Sequence, residues 1–154
     1  MILLVAAALA ALPECPPPAV PPTPVLVGLD AHSHKVGGLG IASLEPDHWS
    51  LTLLAPAGLE LFTVSGPPAT VATGLEAWRP WLERLPVERD LRLVFTAVTD
   101  ACTSGGGRIR PTAAGRRWCG PGGPATVTES DGTVVLVDRR RGYTLTLRVA
   151  GAAG

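Results

Sequence analysis

Apolar and polar residues alternate along much of the chain, which is the pattern of β-strands with one buried face. The pattern is clearest at 143–149, where apolar residues take every second position and Thr or Arg stands between them. Upstream, Asp131-Gly132 separates two similar segments, 125–130 and 133–138. Asp-Gly between alternating segments is a strong hairpin signal. The sequence therefore predicts a three-stranded antiparallel meander from 125 to 149.

A second hairpin is predicted over 49–64, with the sequence WSLTLLAPAGLELFTV. Pro56 and Gly58 fall at the second and fourth positions of its turn, as a type I turn prefers. If Leu54 pairs with Leu59, one face is wholly apolar and the other is mixed, so we expect the sheet to be curled or covered on both sides. The apolar face holds Trp49, Leu51, Leu53, Phe62 and Val64. Further strands are predicted at 36–44, 91–98 and 109–118.

The periodicity changes to that of a helix between 73 and 85. Thr73 and Glu76 have the spacing of a capping box, in which each side chain bonds the other residue's backbone N–H. Pro80 lies inside this segment and must kink or restart the helix, because proline lacks the backbone N–H. The apolar residues at helical spacing are Leu75, Trp78, Trp81, Leu82 and Leu85. We predict one short helix that lies across the sheet or plugs its open end.

The first 12 residues (MILLVAAALAAL) are apolar and uncharged. A run of about 11 apolar residues has the length of a signal-peptide core, whereas a membrane-spanning helix needs about 20. The Ala-Leu-Ala sequence ending at Ala10 fits signal-peptidase cleavage, and a buried N-terminal helix or strand is the alternative. From 13 to 24, seven of twelve residues are proline, which favours an extended tether. We predict a signal peptide at 1–14, a proline-rich tether at 15–24 and an antiparallel β domain at 25–154.

The three cysteines are Cys15, Cys102 and Cys119, and an odd number in an exported protein leaves one thiol to be explained. Cys15 follows the apolar run and a short spacer, an order that resembles a bacterial lipoprotein signal. We predict that Cys15 is lipidated and that Cys102 pairs with Cys119 in a structural disulfide, because exported cysteine pairs are usually oxidised. Cleavage after Ala10 without lipidation is the alternative, and the protein is exported in both cases.

Charge and composition exclude several classes of function. The chain has 13 basic and 13 acidic residues and no net charge, which gives no electrostatic case for binding nucleic acid or an anionic membrane. Arg139-Arg140-Arg141 is interpreted as a solvated turn, with contact to anionic head groups as the alternative. The sequence contains no nucleophile elbow, His-Glu-x-x-His helix or phosphate-binding loop. We therefore predict that the protein is not an enzyme and uses no cofactor.

His32, His34 and His48 form the only cluster of potential metal ligands in the sequence. A His-x-His pair on an extended segment places both rings on one side, where they could hold zinc. Paired surface histidines are far commoner than metal sites. Metal binding through these three residues is therefore the third functional hypothesis.

Four segments carry a resemblance to a known family: LTLLAPAGLELFTV, ATVATG, DLRLVF and VVLVDRRRGYTLTLRV. Together with the Trp-rich helix they resemble the outer-membrane lipoprotein receptor of the Lol pathway, and more closely the small envelope lipoproteins related to it. The resemblance covers 36–149. It implies a strongly curved antiparallel sheet, an unclosed half-barrel whose hydrophobic hollow is covered by helix and receives acyl chains. The lining residues that it implies are Trp49, Leu51, Leu53, Phe62, Val64, Trp78, Trp81 and Leu82.

The resulting functional hypothesis is a non-enzymatic envelope lipoprotein that binds lipid or the acyl chains of lipoproteins. It would be exported to the periplasm or outer membrane of a Gram-negative bacterium and held at the membrane through Cys15. The rival hypothesis is a structural or protein-interaction module of the envelope with a fully packed core. An apolar cavity of several hundred Å³ would favour the carrier, because ligand pockets have that size.

Overall fold

The computed structural model describes residues 11–17 and 19–150. These residues form one open antiparallel sheet of 11 strands and two helices, so the predicted mainly β fold is confirmed. Neither of these helices is long and apolar enough to cross a membrane. The strands in chain order are β1 (Val20–Ala31), β2 (Lys35–Leu44), β3 (Trp49–Leu54), β4 (Glu60–Gly66), β5 (Thr70–Thr73), β6 (Cys102–Ser104), β7 (Gly107–Pro111), β8 (Gly115–Cys119), β9 (Ala125–Ser130), β10 (Thr133–Asp138) and β11 (Tyr143–Val149). The helices are α1 (Arg79–Arg84) and α2 (Val87–Phe95).

The order of strands across the sheet is β5-β4-β3-β2-β1-β11-β10-β9-β8-β7-β6. Strands that are consecutive in sequence are neighbours, apart from β5 and β6 at the two edges, and β1 also pairs with β11, with Val27 opposite Leu147. That pairing joins a first arm (β1 to β5) to a second arm (β6 to β11). Both helices follow β5 and precede β6, so they connect the outer edges of the two arms.

The two arms curl round α2. This helix of nine residues is ~14 Å long, and it contacts β2 and β3 of the first arm and β8 and β10 of the second. In a flat sheet, β3 and β8 are six positions apart in the strand order and would be separated by ~29 Å. A helix of this length meets both strands only if the sheet bends round it. The strands therefore form a half-barrel with α2 on its concave side.

The concave face forms the core. The five residues predicted to share one face of the hairpin β3–β4 are at most 4% exposed, and Leu53 lies opposite Phe62, so this prediction is confirmed. The predicted pairing of Leu54 with Leu59 is wrong. A register shift after Leu53 places Leu54 opposite Glu60.

The predicted meander is confirmed by β9, β10 and β11, which pair in sequence order. Asp131 and Gly132 have φ values of 52° and 77°, the left-handed pair that a two-residue type I′ turn requires. The strand predicted at 36–44 is confirmed by β2. The segment 109–118 holds two antiparallel strands, β7 and β8, instead of one.

The predicted short helix is present in a shorter form, and one strand prediction is wrong. The helix predicted over 73–85 is reduced to α1, whose first turn contains Pro80, because a proline there loses no helical hydrogen bond. The strand predicted at 91–98 is replaced by α2. The apolar residues of α2 do follow the period of a helix, but Leu91-Arg92-Leu93 also has the alternation of a strand, which the sequence prediction followed.

The predicted proline-rich tether is wrong, because residues 20–24 belong to β1. Within this segment Thr23 pairs with Ala42 of β2. The prolines are tolerated because β11 pairs with β1 only from Val25 onwards. The N-terminal half of β1 is therefore an edge on that side, where a proline without a backbone N–H removes no hydrogen bond between strands.

Candidate functional site

Helix α2 fills the inside of the half-barrel. Its side chains of Leu91 and Leu93 are completely buried, and those of Val87 and Val94 are nearly so. The short α1 contacts β5 at the edge of the first arm instead. The element that covers the hydrophobic hollow is therefore α2, which the sequence did not predict as a helix.

A buried cluster of charges fixes α2 to the second arm. Arg89 Nη2 lies 2.8 Å from Asp90 Oδ1 and 2.8 Å from Asp138 Oδ2, and the Tyr143 hydroxyl donates to Asp90 Oδ2. Arg89 Nη1 also donates to the carbonyl oxygen of Gly123 at 2.9 Å. The four side chains are almost inaccessible to solvent. Each charge inside the half-barrel thus has a partner, as buried charges need.

Burial also determines how this cluster titrates. It raises the pKa of Asp90 to about 6, although the positive charge of Arg89 opposes the shift. Burial likewise raises the pKa of Tyr143, so the phenol stays a hydrogen-bond donor. At Asp138, burial is outweighed by hydrogen bonds from the Arg141 backbone and from Arg89, and the pKa is lowered. The cluster therefore contains one carboxyl with a lowered pKa, at Asp138, and one with a pKa raised to about 6, at Asp90.

The C-terminal end of α2 is fixed by Arg116 of β8. Its guanidinium is buried and donates to the carbonyl oxygens of Leu93 and Val94. The Nη1 atom also lies 3.2 Å from Glu129 Oε2. The last carbonyls of a helix lack intrahelical partners, and a cation there satisfies them. Helix α2 is thus held at both ends by arginines.

A cleft of about 210 Å³ lies beside the start of α2. Trp49 of the first arm and Trp118 of the second arm both line it. The remaining wall residues are Ala69, Leu85, Pro86, Val87, Glu88, Arg89, Arg92, Gly105, Pro121 and Gly122. The wall is mostly apolar, but the volume is below the ~300–1,000 Å³ of pockets that enclose a whole small molecule. The cleft can therefore accept one end of an apolar ligand.

Each tryptophan lies over a glycine of the neighbouring strand. A Cβ atom on Gly66 would be 2.5 Å from the ring of Trp49, and a Cβ atom on Gly107 would be 2.2 Å from the ring of Trp118. Contacts this short do not occur, so both glycines are needed for the rings to lie flat against the sheet. The two arms therefore hold their tryptophans in the same way.

The indole N–H groups of the two tryptophans differ. Trp118 Nε1 donates to the carbonyl oxygen of Pro121 at 3.1 Å. Trp49 Nε1 and Arg92 Nε are buried, and neither has an acceptor among the described residues. An unpaired buried donor costs about 1–3 kcal/mol. Because both nitrogens are buried, an oxygen atom could reach either donor and recover that free energy only after the cleft wall opened.

Trp49 is the one residue of the eight predicted lining residues that lines this cleft. The predicted cover residues Trp78 and Trp81 instead pack on His34: the rings of Trp81 and His34 are stacked with centroids 4.5 Å apart, and Trp78 meets His34 edge-on at 5.1 Å. Both tryptophans also pack against the core beside this turn between β1 and β2, and their role as a cover stays a prediction. The five others are packed in the core: Leu51, Leu53, Phe62, Val64 and Leu82.

The predicted three-histidine metal site is wrong. His32 and His34 lie in the turn before β2, and His48 lies in the turn after it. The ten residues of β2 separate these turns by ~33 Å, so the three side chains cannot bind the same ion. Among residues 11–17 and 19–150, no group of three or more His, Cys, Asp or Glu side chains is arranged to hold a metal.

The predicted disulfide is also wrong. Cys102 is bonded to Cys15, with Cα atoms 4.9 Å apart, and Cys119 is unpaired and exposed. Cys102 lies on the concave face of β6, whereas Cys119 follows the buried Trp118 on β8 and therefore points to the convex face. Alternation along the strands thus places the two cysteines that were expected to pair on opposite sides of the sheet.

The same bond removes the predicted lipid anchor, because a sulfur atom in a disulfide cannot carry a lipid thioether. The segment 13–15 extends the sheet at β6: Thr103 N donates to Pro13 O at 2.9 Å, and Cys15 N donates to Thr103 O at 2.8 Å. The predicted signal-peptide boundary at 14 therefore falls within the folded sheet. Residues 1–10, the apolar core of that predicted signal, lie outside the described residues.

Neither a protein-family model nor a curated protein sequence matches this chain. The relationship to the Lol receptor family stays a prediction. The disulfide itself indicates an oxidising compartment, where such bonds persist.

Proposed function

We propose that the protein is a non-enzymatic binding protein of the bacterial envelope, which takes the apolar end of an amphiphilic ligand into the cleft between Trp49 and Trp118. The observation that supports this most is the cleft itself, where an aromatic residue from each arm faces the same apolar space beside α2. Acyl chains of lipids or lipoproteins are the ligands that the resemblance to the Lol receptors implies. A volume of about 210 Å³ suits one end of such a chain.

Two side chains of the cleft wall carry buried, unpaired donors, which a ligand that also carries oxygen would satisfy once the wall opened to it. Trp49 Nε1 and Arg92 Nε have no acceptor among the described residues, and both side chains line the cleft. A carbonyl or carboxylate oxygen next to an acyl chain would match a donor beside an apolar wall. A pure hydrocarbon would leave both donors unpaired.

A second candidate is a protein-interaction module with a filled half-barrel. It is favoured by the way in which Arg89 and Arg116 hold both ends of α2. A carrier that enclosed a whole acyl chain would have to displace α2 and Arg89 with it, which would separate the buried Asp138 of β10 from that arginine. The two candidates therefore differ in whether the existing cleft binds a ligand while α2 stays in place.

Export by a signal that is cleaved after Ala10 belongs to this proposal. Such cleavage would leave Cys15 in the mature chain, as the disulfide with Cys102 requires. It would also leave Pro13, which accepts a hydrogen bond from Thr103. The protein would then reach the periplasm or the outer membrane without a lipid on Cys15. Membrane association would need a different contact.

The proposal is tested by titrating the purified protein with decanoate and with a diacylated lipopeptide while tryptophan fluorescence is recorded. Ala69→Leu should abolish the response by filling the cleft from its exposed wall. The matched control is Ala113→Leu, in the exposed turn between β7 and β8, which should bind as the unmodified protein does. If neither ligand changes the fluorescence of the unmodified protein, or if both variants bind equally, the interaction module is the better explanation.

A further inference from the structure

The convex face of the second arm carries arginines that oppose one another. Arg108 and Arg110 of β7 and Arg117 of β8 are exposed, and Arg110 lies directly opposite Arg117 in the antiparallel ladder. Like charges at such a pair destabilise a sheet. The stability of the isolated chain therefore does not explain this arrangement.

Two further arginines extend this surface. Arg139 and Arg140 occupy the turn between β10 and β11, and together with Arg117 they line a cleft of about 370 Å³ on the outside of the sheet. Within 11–17 and 19–150, none of the ion pairs involves any of these arginines. We call the set of Arg108, Arg110, Arg117, Arg139 and Arg140 the arginine face.

The net charge of zero conceals this surface, because charges that are balanced over the chain are not balanced locally. Five of the 13 basic residues lie on one side of the second arm without carboxylate partners. A field of one sign over such a patch attracts counter-ions or a partner of opposite charge. The arginine face is therefore a binding surface for anions.

We propose that the arginine face docks the protein on a membrane surface through the phosphate groups of anionic phospholipids. Arginine binds phosphate with two parallel hydrogen bonds and is suited to this role. From β7 to β10 the face spans three strand spacings, which is ~14 Å. One phosphate cannot bridge that distance, whereas a layer of head groups presents many phosphates side by side.

Two observations favour a membrane over a nucleic acid. The arginine face contains no aromatic side chain on which a base could stack, as single-stranded nucleic acids require. The disulfide between Cys15 and Cys102 indicates an oxidising compartment, where nucleic acid is not the usual polyanion. Docking through the arginine face would also bring the protein to a membrane without a lipid on Cys15. It involves a different side of the sheet from the ligand cleft and does not depend on it.

The test is co-sedimentation of the purified, oxidised protein with vesicles of phosphatidylcholine alone and with vesicles that contain one quarter phosphatidylglycerol. We expect binding to the anionic vesicles only, and we expect it to weaken as salt is raised. Arg110→Gln with Arg117→Gln should weaken binding about 25-fold, at about fivefold for each arginine. The matched control is Lys35→Gln with Arg84→Gln, which removes the same charge from exposed positions elsewhere and should bind as the unmodified protein does.

Several outcomes would overturn the proposal. One is equal binding to both kinds of vesicle, and another is no binding to anionic vesicles at low salt. A third is an equal loss in the Arg110/Arg117 and control variants, which would indicate a net-charge effect alone. Displacement by inorganic phosphate at matched ionic strength would assign the face to a free anion. Tighter binding to single-stranded DNA than to anionic vesicles would assign it to nucleic acid.

Discussion

Arg116 and Arg117 are consecutive residues of β8, and they lie on opposite faces of the sheet. Arg116 points into the half-barrel, where its guanidinium donates to two carbonyl oxygens at the end of α2. Arg117 points outward, lies opposite Arg110 and lines a cleft with Arg139 and Arg140. Two arginines of the same strand therefore lie in opposite environments, one buried against a helix and the other exposed beside further arginines.

The difference separates two uses of arginine in this protein. On the concave face, each guanidinium satisfies groups that would otherwise be buried without a partner, so the fold depends on it. On the convex face, the guanidiniums repel one another, and the isolated fold should be no less stable without them. The convex arginines are therefore available to a partner, whereas the concave ones are not.

The largest effect is expected on the concave face at Arg89. In Arg89→Met, Asp90 would be left buried without its cation, and Asp138 would keep only the half-exposed Arg141. Loss of one partner of a buried ion pair costs ~3–5 kcal/mol. We expect the free energy of unfolding, measured by urea denaturation, to fall by about that amount. A loss below ~1 kcal/mol would show that this cluster does not fix α2.

The next effect is a dependence of stability on pH, caused by Asp90. Its pKa is raised to about 6 in the folded protein, and an unfolded Asp has a pKa of ~3.9. The folded state then holds the proton more tightly, so the free energy of unfolding should decrease as pH rises from about 4 to about 6. If the whole pKa shift is expressed, the free energy of unfolding falls by about 3 kcal/mol over this pH range.

Asp90→Asn should remove this decrease, because an amide does not ionise. Asp47→Asn, at an exposed position in the turn after β2, should leave it unchanged. Both variants are measured by thermal unfolding, followed by circular dichroism between pH 4.5 and 6.5. Asp138 has a lowered pKa and takes up its proton below this range, so it does not contribute to the profile. Parallel profiles for the unmodified protein and Asp90→Asn would contradict the titration of Asp90 near pH 6.

Arg116→Gln should have a smaller effect than Arg89→Met, because it removes hydrogen bonds to carbonyl oxygens and leaves no buried carboxylate unpaired. Hydrogen bonds to a charged group contribute about 1.5–3 kcal/mol, and we expect a loss of ~2 kcal/mol in urea denaturation. Arg117→Gln is the control, one residue away and on the other face. Equal destabilisation by the two variants would show that the face of β8 does not decide the role of its arginines.

The sequence predicted those parts of the fold in which the strand alternation is not interrupted. The hairpin β3–β4 and the meander β9–β11 combine regular alternation with specific turn residues, such as Asp131-Gly132, whose positive φ values the structure shows. Helix α2 was missed although its apolar residues Val87, Leu91 and Val94 recur at helical spacing. The stretch from Leu91 to Leu93 also alternates as a strand does, and a segment this short fits both patterns.

The candidate site could be predicted in part. Trp49 was expected on an apolar face and lines the cleft, but its counterpart Trp118 was assigned to one long strand instead of a hairpin. Within 115–119 the large apolar side chain of Trp118 was a signal that could have placed it inward, as the structure does. It would also have placed Cys119 outward and excluded its pairing with an inward Cys102.

The smallest effect has the opposite sign from the others and is expected at Arg117. Arg117→Thr removes the charge opposite Arg110 and introduces a residue that favours strands, beside Thr126 of β9. Relief of the repulsion is worth about 0.2–1 kcal/mol. The variant should therefore unfold at a slightly higher temperature than the unmodified protein at low salt, and the gain should shrink at 0.5 M salt because screening weakens the repulsion. A lower unfolding temperature at low salt would mean that Arg117 stabilises the chain by contacts of its own. Arginines on both faces would then stabilise the fold, and they would differ only in how much each one contributes.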